Sequence, residues 1–162
     1  MNIVALIQAR MSSSRLPGKV LMDITGEPML SRVVERTRLA AQVNQVVVAT
    51  TTDACDDTVA DFCQAHAYPC FRGNLHDVLD RYYQAACTYA ADAVVRITAD
   101  CPVIDPGLID EMITFFCAGN DESSALPYDF AANRLPPPWK RTYPIGLDLE
   151  MCTFTALERA WK

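Results

Sequence analysis

Three cations lie close together near the start of the chain, in a segment rich in small side chains. Arg10, Arg15 and Lys19 fall within ten residues, and no acidic residue comes before Asp23. A serine triplet and a Pro–Gly pair stand between them, which predicts a loop with accessible backbone N–H groups. Phosphate oxygens accept hydrogen bonds from guanidinium, ammonium and amide groups. The segment could therefore bind a triphosphate, although a solvated basic loop would have the same composition.

A carboxylate follows a later apolar run. Asp100 stands just after the segment AVVRIT, whose β-branched residues predict a strand. An aspartate at the end of a central parallel strand points into the crevice where a nucleotide would lie. There it could hold Mg²⁺, which prefers carboxylate, phosphate and water oxygens. It could equally cap the turn into the next helix, a role that suits Asp105 better.

A further pair of charged residues lies within a predicted helix. The helix could direct Asp80 and Arg81 toward the same crevice, where they would meet a ribose or a base. They could equally form solvated salt bridges with their helical neighbours. The two histidines, His66 and His76, have no obvious nucleophile partner. We expect them to be surface or capping residues and not a catalytic pair.

Short apolar runs alternate with helical patterns over the first 120 residues. Strands are predicted at 3–8, 45–51, 70–72 and 93–98, and helices at 28–41, 53–66, 76–90 and 106–117. This alternation predicts a parallel sheet with helices on both faces. Ligands of such sheets bind beyond the carboxyl ends of the strands. The segments with the three cations and with Asp100 both follow predicted strands, so they should meet at that edge.

The pattern loosens after Asn120. Residues 121–146 contain five of the ten prolines, which predicts an excursion over the surface or an oligomerisation arm. Residues 147–152 are predicted to form a half-buried strand, and 153–162 a helix capped by Thr153. We therefore expect one domain over 1–162, in which a core at 1–120 is followed by the excursion, a final strand and a helix. A doubly wound sheet usually continues further, so this domain would be truncated at its C-terminus.

Composition excludes several classes of protein. Apolar residues make up 51% of the chain and charged residues 21%, which excludes a disordered chain. The formal net charge of −6 argues against nucleic-acid or anionic-membrane partners. No apolar run is long enough to cross a bilayer, and the first residues lack a signal-peptide pattern. We expect a cytoplasmic protein whose seven cysteines are reduced and fill the core.

Four segments in this order resemble the spore coat polysaccharide biosynthesis protein F family. They are IVALIQARMSSSRLPGKVL, VVVATTTD, FRGNLHDVLDRYYQAA and VVRITADCPVIDP. That family belongs to a cytidylyltransferase-like group, with the enzymes that activate acylneuraminate and 3-deoxy-manno-octulosonate with CTP. The likeness runs nearly without a gap from residue 1 to about 118 and resumes at RTYPIGLDLEMCTFTALERAW.

The resemblance implies an α/β fold, a three-layer αβα Rossmann-like nucleotide-diphospho-sugar transferase domain with a mostly parallel sheet. It implies that the triphosphate site is lined by Gln8, Ala9, Arg10, Arg15 and Lys19. Asp80 and Arg81 match a polar pair near the nucleotide in related enzymes, and Asp100 matches the acidic residue that binds Mg²⁺. Two features differ: the family has a further C-terminal stretch with another acidic residue, and it carries aspartate where this chain has Ile145.

The implied reaction transfers CMP from CTP to a sugar or sugar acid and releases pyrophosphate, for cell-surface or spore-coat polysaccharide biosynthesis. The protein would act by in-line positioning and charge neutralisation. Lys19 and Arg15 would be the catalytic cations, with Lys19 stabilising the leaving pyrophosphate, while Asp100 anchors Mg²⁺. The alternatives are another nucleotide- or glycosyl-transferring enzyme and a non-catalytic nucleotide-binding protein. An exposed final strand and the proline-rich excursion would favour a homodimer.

Overall fold

The computed structural model describes residues 1–13, 15–120, 127–134 and 141–162. Within them the strands are β1 (Ile3–Gln8), β2 (Asp23–Ile24), β3 (Glu27–Pro28), β4 (Gln45–Thr51), β5 (Cys70–Gly73), β6 (Ala93–Thr98), β7 (Phe130–Ala132) and β8 (Glu150–Thr153). The helices are α1 (Met29–Arg38), α2 (Asp57–Ala65), α3 (Val78–Thr88), α4 (Pro106–Ala118) and α5 (Phe154–Trp161).

The main sheet has the strand order β5-β4-β1-β6-β8-β7, and β2 pairs with β3 in a separate hairpin. The first four strands of that order run parallel, whereas β8 and β7 run antiparallel to their neighbours. At the carboxyl end of β1, Gln8 is in register with Ala49 on β4 and with Thr98 on β6. The segments that follow these central strands therefore begin at one edge of the sheet.

Helices cover both faces of this sheet, because successive residues of a strand point to opposite sides. On one side Ile3, Ala5 and Ile7 of β1 share a core with α1, α2 and α4. On the other side Val4 and Leu6 share a core with α3 and α5. The predicted three-layer α/β architecture is confirmed. The buried strands are apolar on both faces, which is why their sequences read as continuous apolar runs.

The helices begin where the capping residues place them. Asp77 accepts a hydrogen bond from the Asp80 backbone N–H at 2.8 Å, so α3 begins at Val78, two residues later than predicted. Thr153 caps α5 as predicted, with its Oγ1 3.1 Å from the Ala156 nitrogen. Asp53 caps a short 3₁₀ turn at Ala54–Asp56, and α2 begins only after that turn.

The final strand differs from the prediction. It begins at Glu150, and β7 pairs with it, so β8 lies inside the sheet between β6 and β7. The argument for a homodimer from an exposed final strand is therefore wrong. Strand β7 falls in the segment predicted to be an irregular excursion, since three residues are too few to show a periodic pattern. The proline triplet at 136–138 lies outside the described residues.

Two smaller expectations can be compared with the structure. Cys63 and Cys101 are buried, as predicted for core-filling cysteines, but Cys55 and Cys87 are exposed, so the prediction is wrong for them. Among the helices of the described ranges, none has the length and hydropathy that crossing a membrane would require.

Candidate active site

A polar pocket of about 260 Å³ lies at the carboxyl ends of β1 and β6. Its lining brings together five of the predicted site residues, namely Gln8, Arg10, Arg15, Lys19 and Asp100. Gln8 and Thr98 are the last residues of two paired strands, and both side chains face the pocket. The position agrees with the general rule that ligands of parallel sheets bind beyond the carboxyl ends of the strands.

The loop after β1 is organised around one peptide group. The carbonyl oxygen of Met11 accepts hydrogen bonds from the backbone N–H groups of Ser13 at 2.8 Å and Gly18 at 2.9 Å. Gly18 has a φ of 75°, a left-handed conformation that glycine adopts without strain. This turn brings Lys19, which begins a 3₁₀ turn, back to the pocket that Arg10 also lines.

Lys19 and Asp100 form an ion pair across the pocket. The Lys19 Nζ lies 2.5 Å from the Asp100 Oδ2, and the two side chains are 20% and 38% exposed. Burial alone would raise the pKa of Asp100, but hydrogen bonds from Lys19 and Thr98 together with the Lys19 charge oppose it. The pKa of this carboxyl therefore lies below its ordinary value, and Asp100 is ionised at neutral pH.

The donor set fits one kind of metal ion. Asp100 is the one carboxylate in the lining of the described pocket. Over the described ranges, no group of three or more His, Cys, Asp or Glu side chains is arranged to hold a metal ion. Mg²⁺ is commonly held by one or two carboxylates together with substrate phosphates. The residues present fit a Mg²⁺ ion that is shared with a bound phosphate group.

Arg96, which is not among the site residues predicted from the sequence, also lines this pocket. Its Nη1 donates a hydrogen bond to the Glu150 Oε2 at 2.7 Å, and its guanidinium lies 6.0 Å from the centre of the Tyr82 ring. Arg96 stands two residues before Thr98 on β6, so both point to the same face of the sheet. The available signal was a single charged residue within the apolar run AVVRIT.

Two adjoining cavities share Arg96 with the pocket. A small polar cleft of about 110 Å³ extends toward β8, where Arg134, Asp148 and Glu150 line it. A mostly apolar groove of about 490 Å³ lies between α3 and α5. The groove is larger, but Arg96 is the one cation in its lining, whereas the polar pocket is also lined by Arg10, Arg15 and Lys19. The chemistry therefore belongs to the polar pocket and the cleft beside it.

The remaining predicted site residues lie around the pocket and not in its lining. Ala9 is 2% exposed, and its backbone N–H donates to the Ala49 carbonyl oxygen at 3.1 Å. The Asp80 carboxylate accepts hydrogen bonds from the Trp161 indole at 2.9 Å and from Gln84 at 3.1 Å. Asp80 thus faces α5. Ser14, within the cationic loop, lies outside the described residues.

Arg81 is buried behind the loops at the same sheet edge. Its side chain is 1% exposed, so the alternative of a solvated salt bridge is wrong for this residue. Its Nη1 donates to the Asn74 carbonyl oxygen at 2.5 Å. Burial lowers the pKa of the Arg81 guanidinium; the neighbouring Tyr82 counteracts this shift, and the charge of Arg10 adds to it. Gly73 gives the side chain room, since a Cβ there would lie 2.9 Å from the Arg81 Cγ.

Comparison with known proteins places the chain in a family. A family model described as cytidylyltransferase matches residues 4–127, which include every residue that lines the polar pocket. The chain belongs to the cytidylyltransferase family. The four sequence segments predicted a cytidylyltransferase-like protein, and this part of the prediction is confirmed.

Two relatives of this cytidylyltransferase-family chain have names that indicate a function. The chain is 36% identical over 130 residues to the spore coat polysaccharide biosynthesis protein SpsF of Bacillus subtilis, a match that covers 77% of the chain and 54% of SpsF. It is 40% identical over 114 residues to 3-deoxy-manno-octulosonate cytidylyltransferase of Geobacter sulfurreducens, covering 70% and 44%. The matches thus span about half the length of these relatives, and they do not single out the spore coat protein.

Two solved structures share the fold. A cytidylyltransferase from Leptospira borgpetersenii serovar Hardjo-bovis superposes with a TM-score of 0.86 at 34% identity, over 98% of this chain and 63% of that one. A CMP:2-keto-3-deoxy-manno-octonic acid synthetase complexed with CTP superposes with a TM-score of 0.75 at 23% identity, over 99% and 78%. The fold expected from the sequence is therefore confirmed, because this chain shares it with both solved structures.

Proposed function

We propose that this protein is a nucleotidyltransferase that transfers CMP from CTP to a sugar or sugar acid and releases pyrophosphate. The observation that carries the proposal is one polar pocket lined by four cations and an ionised carboxylate in a chain of the cytidylyltransferase family. The family membership favours CTP over other nucleotides. The pocket chemistry favours a triphosphate, because four cations and a single carboxylate line the pocket and phosphate oxygens would balance this excess of positive charge.

Arg10, Arg15 and Lys19 bind the triphosphate in this proposal. Nucleotidyl transfer needs little covalent work from the protein, so the rate depends on positioning and on neutralising charge that develops on the phosphate oxygens. Lys19 stabilises the leaving pyrophosphate and Arg15 assists it. Lys19 is paired with Asp100, so its ammonium group lies where the proposed phosphate and Mg²⁺ sites meet.

Asp100 holds the Mg²⁺ ion in this proposal. When bound, Mg²⁺ neutralises phosphate charge and orients the reacting oxygens. Asp100 supplies an ionised oxygen at the sheet edge, where the Lys19 Nζ lies 2.5 Å from its Oδ2. With a single carboxylate, Asp100 would hold Mg²⁺ together with the phosphates of the bound nucleotide, so Mg²⁺ and CTP should bind more tightly together than separately.

Gln8 and Ala9 belong to the triphosphate site in this proposal, and Asp80 and Arg81 are assigned to the end where the ribose or base would lie. Gln8 lines the pocket, and its Oε1 accepts a hydrogen bond from the Tyr82 hydroxyl at 3.4 Å. Arg81 lies behind this end of the pocket and carries a buried Nε without a partner among the described contacts. Asp80 could take part only by releasing the Trp161 indole, so its assignment carries the least structural support.

The acceptor is assigned to the cleft beside Arg96. The cleft combines cationic donors, Arg96 and Arg134, with carboxylate acceptors, Asp148 and Glu150. Such a mixture suits a polyhydroxylated ligand, whose hydroxyl groups both donate and accept hydrogen bonds. One relative is a spore coat polysaccharide biosynthesis protein and the other a 3-deoxy-manno-octulosonate cytidylyltransferase. We therefore propose a sugar acid for a surface polysaccharide as the acceptor.

Location and assembly are also part of the proposal. Seven free cysteines suit a reducing compartment, which supports the cytoplasm. No nucleic-acid or membrane partner is proposed, because the net charge of −6 disfavours polyanionic surfaces. A homodimer stays a prediction, and size-exclusion chromatography with light scattering measures it directly.

Pyrophosphate release tests the function. The purified chain is incubated with Mg²⁺, a panel of sugar acids and one of CTP, UTP, GTP or ATP. We expect pyrophosphate only with CTP and only when an acceptor is present. Release with a different nucleotide would redirect the proposal to another nucleotidyltransferase. Binding of CTP without pyrophosphate from any acceptor would support a non-catalytic nucleotide-binding protein.

A further inference from the structure

A buried carboxylate lies beneath the cationic loop. Asp56 belongs to the 3₁₀ turn before α2 and is 0% exposed. Its Oδ1 accepts a hydrogen bond from the Met11 backbone N–H at 2.6 Å, and its Oδ2 accepts one from the Thr51 hydroxyl. A carboxylate removed from water is costly unless such donors compensate it. Burying the Asp56 carboxylate therefore costs desolvation free energy, which the hydrogen bond from Met11 partly offsets.

The Met11 peptide group connects Asp56 to both ends of the loop. Its N–H is held by Asp56, while its carbonyl oxygen gathers the N–H groups of Ser13 and Gly18. Arg10 directly precedes this peptide, and Lys19 directly follows Gly18. A displacement of Met11 would therefore move two of the pocket cations together.

Asp56 also affects the electrostatics of the two nearby arginines, Arg10 and Arg81. Arg10 and Arg81 are close enough that the charge of the one disfavours that of the other, while the Asp56 charge favours the Arg81 guanidinium. The negative charge of Asp56 thus opposes the effect that Arg10 has on the Arg81 guanidinium.

We propose that Asp56 is a positioning residue that holds the cationic loop in its phosphate-binding conformation by fixing the Met11 peptide. The proposal rests on the proposed function of this loop in binding the triphosphate. Asp56 does not line the pocket, so it acts through Arg10 and Lys19 and does not touch the ligand.

The chain provides a matched control in the next residue. Asp57 is also an aspartate in the same turn region, but its side chain is 55% exposed and pairs with Arg72 at 2.6 Å. Among the described contacts it has none with the loop after β1. Asp56→Asn and Asp57→Asn therefore remove the same charge from adjacent positions, and only the first changes the support of Met11.

Calorimetric titration measures the effect on phosphate binding. CTP and inorganic tripolyphosphate, each with Mg²⁺, are titrated into the wild type, Asp56→Asn, Asp57→Asn, Arg10→Ala and the double variant of Asp56→Asn with Arg10→Ala. We expect Asp56→Asn to weaken both ligands about tenfold, the effect of one charge-assisted hydrogen bond, and Asp57→Asn to leave them within about twofold. In the Arg10→Ala background the additional loss should shrink, because the two residues act on one contact.

The outcomes separate this inference from the proposed function. Wild-type affinity of Asp56→Asn for both ligands, or full additivity with Arg10→Ala, would overturn the positioning role and leave the function standing. Binding of tripolyphosphate but not CTP by the wild type would overturn the function while the loss in Asp56→Asn still supported the positioning role. A wild type that binds neither ligand would overturn both. If Asp56→Asn does not fold, Thr51→Val removes the second partner of the carboxylate, and an unchanged tripolyphosphate affinity in that variant would contradict the proposal.

Discussion

Lys19 and Asp100 are bound to each other in a pocket where each has a different proposed partner. The ammonium group is assigned to phosphate and the carboxylate to Mg²⁺, and the two lie 2.5 Å apart. This ion pair compensates two partly buried charges.

The Lys19→Met variant tests the catalytic cation. We expect pyrophosphate release from CTP to fall at least ~100-fold, because removing one preorganised electrostatic stabiliser often has an effect of this size. Lys162→Met is the matched control, since Lys162 is exposed at the end of α5 and pairs only with Glu158 among the described contacts. Turnover close to that of the wild type in Lys19→Met would remove this residue from the mechanism.

The pKa of Asp100 tests the ion pair without any ligand. In the wild type this pKa lies below its ordinary value of about 3.9, because Lys19 and Thr98 outweigh burial. The stability that the pair contributes is therefore fully present above that ordinary value and is lost as the pH falls through the lowered pKa. In Lys19→Met the burial effect dominates, so we expect the pKa to move upward. Carbon NMR of the Asp100 carboxyl measures both values, and equal pKa values in the two proteins would contradict the assignment.

The loop after β1 is the element on which the site depends, and Gly18 sets its shape. Its φ of 75° allows its N–H to reach the Met11 carbonyl, and a Cβ there would lie 3.4 Å from the Met11 Cε. Gly26 has a φ of 90° in the β2–β3 turn, with no atom within 4 Å of its Cβ position. The two glycines therefore have similar backbone strain on substitution but different surroundings.

Gly18→Ala and Gly26→Ala should both cost about 1 kcal/mol of unfolding free energy, since a side chain is strained in this conformation. Only Gly18→Ala should also weaken CTP binding, because it alone disturbs the Met11 turn. Urea denaturation measures the first effect and calorimetry the second. Equal CTP affinity in the two variants would show that the loop conformation does not govern binding.

The elements themselves were largely predictable from the sequence. Strands β1, β4 and β6 are buried on both faces, so their apolar runs match the predicted ranges. The short β7 was missed because its pairing with β8 depends on chain segments distant in sequence. Asp56 was missed for a similar reason: in the run of aspartates at 53, 56 and 57, local sequence does not tell which carboxylate is buried under Met11. Arg96 could be assigned to the pocket only once the pairing of β6 with β1 was known.

At the scale of the whole molecule, the phosphate-binding and acceptor regions come from different parts of the chain. The pocket is built within the first 100 residues, whereas the cleft beside Arg96 also uses Arg134, Asp148 and Glu150 from the later, antiparallel part of the sheet. The pocket residues lie within the segment that matches the family model, while the later ones lie beyond it. Nucleotide binding should therefore not depend on the later, antiparallel part of the sheet, whereas acceptor binding should.

Thermal unfolding with and without ligand tests this division. A ligand that binds only the folded state at 100 times its Kd adds about 2.7 kcal/mol of stability, which for a chain of this size raises Tm by roughly 5–10 °C. We expect such a shift with CTP and Mg²⁺ in the absence of any sugar, and a similar shift in an Arg134→Ala, Asp148→Asn variant of the cleft. Asp100→Asn should lose the part of the shift that requires Mg²⁺, because CTP alone still contacts the cations. A cleft variant that loses the CTP shift as fully as Lys19→Met would show that the two regions form a single nucleotide site.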